Sequence, residues 1–220
     1  MKKKLHLMLF LITVFLSFSC IGQNKPFIPI PDFSVFNTEK KIDIDNIIET
    51  KDGVPVYLMP EWLLTFANGG NKAVEQLNSY RDKYIFVGMS ENENFIALNK
   101  WAENFTTAQD LAVLAAIRIE ERMISSASLY PDDEYGAFFE TMVKIAYSTA
   151  YQDAVKEEIY WFKKGTVPEI YNFFILISID RNTMQLIIRN MMSQAHAAAS
   201  PSGSQATSVN RLRNTFFEGF

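Results

Sequence analysis

The sequence predicts an α+β fold, with helices packed on a small, mainly antiparallel sheet, and three observations carry that prediction. Tyr84-Ile85-Phe86-Val87 is a short β-rich run bounded by Gly88, and it feeds apolar positions at Phe95, Leu98, Ala102 and Phe105 that recur at helical spacing. Two later runs, Val155 to Lys164 and Glu169 to Asp180, are joined by Gly165-Thr166-Val167-Pro168, a composition suited to a hairpin loop. Long stretches of three- and four-residue apolar spacing lie before and after that pair, giving the order strand, helix, helix, strand, strand, helix.

Taken in order, residues 1–19 form an export signal. Lys2, Lys3 and Lys4 precede the apolar run Leu7 to Leu16, which has signal-peptide length and is short for a membrane-spanning helix. The only cysteine, Cys20, follows Ser17-Phe18-Ser19 directly. This arrangement resembles a bacterial lipoprotein signal, and the resemblance implies that Cys20 is acylated and becomes the mature N-terminus. The competing reading is cleavage by an ordinary signal peptidase after Ser17-x-Ser19, which leaves Cys20 as a free thiol with no disulfide partner.

Residues 20–40 contain Pro26, Pro29 and Pro31, which stiffen and extend the backbone, so this stretch is expected to be a tether. A single α+β domain is expected over residues 41–197. At its start, Asp52-Gly53 between Ile47-Ile48 and Val54-Pro55-Val56 suggests a small hairpin. Pro60 to Phe66 suits a short helix stopped by Gly69-Gly70, and Asn71 can cap a second helix through Val74, Leu77 and Tyr80.

After the helix ending near Phe105, Thr106 with Gln109 and Thr107 with Asp110 have capping-box spacing, so another helix begins there. Leu111 to Ile117 is apolar on nearly every face, which predicts a helix buried from several sides. Arg118, Glu120, Glu121 and Arg122 then predict a solvated face with weak ion pairs. Tyr130-Pro131-Asp132-Asp133 marks a turn before a helix carrying Phe138, Met142, Ile145 and Thr149 on one face.

Phe173 to Ile177 is apolar on both faces and is expected at the centre of the sheet, whereas the charge-interrupted Val155 to Lys164 is expected at an edge. Asp180 caps a helix whose inner stripe is Met184, Ile187, Ile188, Met191 and Ala195. Residues 198–208 are small, polar and proline-interrupted, as a linker is, and residues 209–220 place Val209, Leu212, Phe216 and Phe220 on one side of a short amphipathic tail. That tail can fold back on its own domain or dock into a partner, and its high effective concentration near its own domain favours the first.

Composition narrows the function classes. The 220 residues are 48% hydrophobic and 14% aromatic, enough for one sizeable core. Without residues 1–19, 18 basic residues face 25 acidic ones, a net charge of −7, which argues against nucleic acid as a partner. His196 is the only histidine left after the signal, so neither a histidine-rich zinc site nor a Cys-His dyad is expected. The acids Asp132, Asp133 and Glu134 suit a helix start better than a calcium loop, whose glycine-punctuated alternation is missing. Gly88-Met89-Ser90 lacks the second glycine of a nucleophile elbow. No metal, no cofactor and no catalytic residue is therefore expected.

Pro60-Glu61-Trp62, Tyr84 to Gly88, the alanine-rich helix, Ile159-Tyr160-Trp161 and Tyr171 to Asp180 together resemble the Lpp-twenty-like family of bacterial envelope lipoproteins, over roughly residues 60–195. The resemblance implies a compact α+β domain with a helix pair on a small antiparallel sheet. The family includes surface lipoproteins of unknown role, flagellum-associated proteins and activators of peptidoglycan synthases. It usually has a second glycine where this chain has Ser90, and no binding residue carries over. The expectation is a non-catalytic lipoprotein of the cell envelope, membrane-anchored at the outer membrane or periplasmic face, with an envelope protein or a peptidoglycan-associated partner. The alternative is a carboxylate-dependent hydrolase of the periplasm or cell surface, since two distant acids can pair without a local motif.

Overall fold

A computed structural model describes residues 44–220 except 108, 131, 132 and 219, all within the compact unit Phe36–Phe220. Cys20, the export signal and the tether of residues 20–40 lie outside the described residues. The elements are β1 (Ile47–Thr50), α1 (Glu61–Val74), β2 (Lys83–Asn92), α2 (Phe95–Asn104), α3 (Asp110–Ser128), α4 (Ala137–Ser148), β3 (Val155–Lys164), β4 (Ile170–Asp180), α5 (Arg181–Ala199) and α6 (Gly203–Thr215). The strands form one antiparallel sheet in the order β1-β3-β4-β2, so the fold is α+β with β1 and β2 at the edges.

Helices cover both faces of this sheet. On one face Ile85, Val87, Tyr160, Phe162, Phe174 and Leu176 pack against Trp62, Leu63, Phe66 and Val74 of α1. On the other, Tyr84, Phe86, Phe173, Ile175, Ile177 and Ile179 join a larger core built by α2 to α6. The period-two alternation of β2 and β4 sorts their residues between these cores, and double cover explains why Phe173 to Ile177 is apolar throughout.

Several local expectations change once the strands find partners. β3 lies inside the sheet rather than at its edge, because its charged side chains have internal uses. Lys156 Nζ donates to the Ala102 carbonyl (3.0 Å), Glu158 Oε2 accepts from Trp62 Nε1 (2.7 Å), and a bulge between Lys156 and Glu158 sets Glu157 apart. Asp52-Gly53 closes no hairpin. Ile47–Thr50 pairs with the far end of β3, and Lys51 Nζ donates to the Ile159 carbonyl (2.7 Å), holding the segment beside that strand. β2 runs through Gly88 to Asn92, and at Gly88 a Cβ would lie 3.1 Å from the Phe105 ring, so glycine there admits that ring.

Helix limits follow local chemistry. Gly70 breaks α1 with φ 67° and ψ −165°, a conformation only glycine adopts freely, so the chain turns before Val74 and Glu75. Asn94 Oδ1 accepts from Ala97 N (3.1 Å) to start α2, and Asp180 Oδ1 accepts from Thr183 N (2.9 Å) to start α5. Before α3, Thr106 Oγ1 accepts from Gln109 N (3.3 Å) and Asp110 Oδ2 accepts from Thr106 N (2.6 Å).

The C-terminal region departs most from expectation. Residues 198–208 are not a linker: α5 runs to Ala199, Ser200 turns in the left-handed region (φ 44°), and α6 begins at Gly203. Val209, Leu212, Phe216 and Phe220 all belong to the larger core, with Phe216 and Phe220 stacked 5.2 Å apart. Arg122 anchors the segment by donating to the Thr215 and Phe216 carbonyls. Since large buried side chains cut to alanine cost about 3–5 kcal/mol, Phe216→Ala is expected to lose that much in urea unfolding. A loss below about 1 kcal/mol would mean that the tail is not part of the core.

Candidate functional site

The densest group of charges sits at the outer edge of β2. Glu75 follows the break at Gly70 and caps the end of α1, which carries its carboxylate to Ile85. Ile85 Nα donates to Glu75 Oε1 (3.0 Å), and Arg118 Nη1 donates both to Glu75 Oε1 (2.6 Å) and to the Ile85 carbonyl (3.0 Å). Arg118 Nη2 and Arg181 Nη2 reach Glu75 Oε2 at 3.3 and 3.4 Å. One carboxylate thus accepts four N–H groups.

Aromatic faces close the rest of the cluster. The Arg118 guanidinium lies 5.1 Å from the Tyr84 ring centre, 5.4 Å from Phe86 and 4.8 Å from Phe220, while Arg181 lies 4.6 Å from Tyr84. Glu75 is 3% exposed and Arg118 7%, so the ions are shielded from water and depend on each other. This corrects the solvated face expected at Arg118 and Arg122. Arg118 is buried and Arg122 half-buried, both at helical spacing from the buried Leu111 and Ala115, and that phase was the available signal. Glu75 had none, because its partner is distant in the chain.

Chemically the cluster is a clamp. Both Glu75 oxygens are occupied by N–H donors, from Ile85 and Arg118 on one and from Arg118 and Arg181 on the other. Other acids are similarly engaged. Asp133 accepts from Arg211 at 2.9 and 3.0 Å, and Glu157 accepts from Lys83 (2.7 Å) and Ser178. Burial pushes the Glu157 carboxyl up, but the Lys83 and Ser178 hydrogen bonds outweigh it and its pKa lies below the ordinary value. The bond to Glu157 raises Lys83. Burial alone keeps the Tyr151 phenol protonated by raising its pKa. Among the described residues no group of three or more His, Cys, Asp or Glu is placed to hold a metal ion. His196 lies near the end of α5, where its carbonyl accepts from Ser200 N (3.0 Å).

A second group, at the opposite end of β4, is partly open to solvent. Phe95, Trp161 and Tyr171 meet edge to face, at 5.1 Å for Phe95 with Trp161, 5.2 Å for Phe95 with Tyr171 and 5.9 Å for Trp161 with Tyr171. Lys163 stands 5.2 Å over Tyr171 and pairs with Glu169. The expected lipidation residue, Cys20, is outside the described residues. Comparison with protein-family models, curated proteins and solved structures finds no match.

Two outcomes test this account. Arg118→Leu leaves Glu75 buried with an incomplete donor set and is expected to lose about 3–5 kcal/mol in denaturant unfolding, whereas Arg211→Leu, at a more exposed pair, loses about 1 kcal/mol or less. Equal losses would contradict the clamp. The depressed Glu157 contributes stability that is present above its unfolded pKa and is lost as pH falls through the folded one. The raised Lys83 contributes stability present below its unfolded pKa and lost as pH rises through the folded one. Glu157→Gln is therefore expected to flatten the acid-side fall in melting temperature, and an unchanged slope would rule Glu157 out as its source.

Proposed function

We propose that the chain is an exported bacterial protein held in a cell-envelope membrane by acyl groups on Cys20, and that it acts by binding other envelope components rather than by catalysis. The observation that carries this reading is the position of the only cysteine, directly after a lysine-led apolar segment of export length. A thiol placed there has a use as an acylation site and no disulfide partner within the chain.

The structural chemistry is consistent with a binding role. Glu75, Asp133, Glu157 and Glu158 hold strands, helices and the C-terminal segment together through named hydrogen bonds. Among the described residues no helix is long and apolar enough to cross a membrane, so attachment in this reading depends on the lipid. Two or more acyl chains give stable attachment where one gives marginal binding.

Cys20→Ala expressed with its export signal tests the anchor. The wild-type chain is expected in the detergent phase and to incorporate a labelled fatty acid, and the variant in the aqueous phase without label. A variant that still partitions with detergent overturns the reading.

A further inference from the structure

We propose that the chain dimerises by exchanging its C-terminal segment: α6 and the residues after it leave their own core and fill the same groove in a second copy. Every residue involved lies between Tyr84 and Phe220, so the exchange does not depend on the anchoring reading.

The segment is a separable piece of the core. It comes last in the chain, the four-stranded sheet is complete without it, and Ser200, Pro201 and Ser202 alone join α6 to α5. Its seat is made by earlier elements. Val209, Leu212 and Phe216 are fully buried in the larger core, Asp133 accepts from Arg211, and Arg122 donates to the Thr215 and Phe216 carbonyls. At the end of the segment the Phe220 ring lies 5.1 Å from the Tyr84 ring and 4.8 Å from the Arg118 guanidinium. A segment from another copy meets the same groups in the same geometry, so these contacts favour neither arrangement. The hinge and the protein concentration decide between them.

The hinge is strained in the closed form. Ser200 has φ 44° and ψ 53°, the left-handed region, where a Cβ crowds the following carbonyl and where helix ends usually have glycine. The next residue is proline, whose ring drives the residue before it toward extended backbone. Both effects push Ser200 the same way. Its N–H donates to the His196 carbonyl (3.0 Å) and its hydroxyl to the Ala197 carbonyl (3.1 Å), and because Ser200 is exposed, water replaces both bonds when it extends. Pro201 also keeps α5 and α6 from merging into one straight helix. Extended backbone at Ser200 therefore swings α6 away from its own groove, and a short hinge under strain invites exchange.

A second copy is the fitting occupant because the groove matches this segment in chemistry as well as shape. Asp133 binds a cation, Arg122 binds the free carbonyls of a helix end, and the core side takes the ring pair of Phe216 and Phe220, stacked 5.2 Å apart. Each copy gives one segment and receives one, so the assembly closes as a two-fold dimer. In dilute solution the tethered segment meets its own groove first, and higher concentration favours the dimer.

The test uses the chain from residue 20 onward with Cys20→Ala, so that no acyl group holds copies together. Refolded from urea at high protein concentration, it is expected to show monomer and dimer by native mass spectrometry, and monomer alone overturns the exchange. Ser200→Gly removes the strain at two hinges per dimer and is expected to lower the dimerisation constant at least about tenfold. An unchanged constant also overturns it. Charge reversal separates exchange from ordinary association. Chains carrying Asp133→Arg or Arg211→Asp set like charges together when alone, whereas exchange between the two kinds restores opposite charges at both sites. The mixed dimer is expected to be at least about fivefold more abundant than either homodimer, against about twofold for random pairing, since each half-open pair contributes up to about fivefold. Random pairing of the folded variants shows that each segment stays in its own copy and overturns the proposal. Circular dichroism checks that both variants fold, and the Ser200→Gly comparison stands without them.

Discussion

An edge strand presents backbone N–H and C=O groups that the sheet cannot satisfy, and the packing of this protein depends on how those of Ile85 are met. Helices cover both faces at that point, so water cannot serve, and an unpaired buried backbone group carries a penalty of about 1–3 kcal/mol. Glu75 takes the N–H and Arg118 supplies the carbonyl with a donor, so the two side chains stand where another strand would bond. The ion pair is thus placed by the backbone it serves, and each ion compensates the desolvation of the other.

The same contact joins the layers. Glu75 ends the helix on one face of the sheet, whereas Arg118 belongs to the helical layer on the other, so their bond passes around the β2 edge. Arg181 brings in the start of α5, and Phe220 brings the C-terminal segment over the Arg118 guanidinium. Long cations serve the same purpose elsewhere. Lys51 caps a β3 carbonyl beyond the reach of β1, Lys156 caps the end of α2, and Arg122 holds the carbonyls where α6 ends. Their charged heads satisfy main-chain oxygens, so Lys51, Lys156 and Arg122 are half-buried in the fold although each carries a charge.

The two ends of β4 differ accordingly. At Asp180 the clamp of Arg181 and Glu75 ties five segments together, and its polar atoms are bonded to one another. At Ile170 the strand meets a turn of small and apolar residues, backed by aromatics that keep part of their surface in solvent.

The sequence by itself determined what depends on neighbours a few residues away. The 3.6-residue period placed α2, α3, α4 and α5, the β-rich runs placed β2, β3 and β4, the cap at Asp180 marked a helix start, and Thr106 marked the turn just before another. The period-independent apolar run at Phe173 revealed a strand covered on both sides. Tertiary structure alone decided which segments meet: that Ile47–Thr50 pairs with β3 and not with its own continuation, that Arg118 finds a carboxylate 43 residues away, and that Gly203 to Phe220 completes a core instead of following a linker. Periodicity records which side of an element is apolar, but not what covers it. A charge in a buried stripe therefore looks solvated until the chain folds and its distant partner arrives.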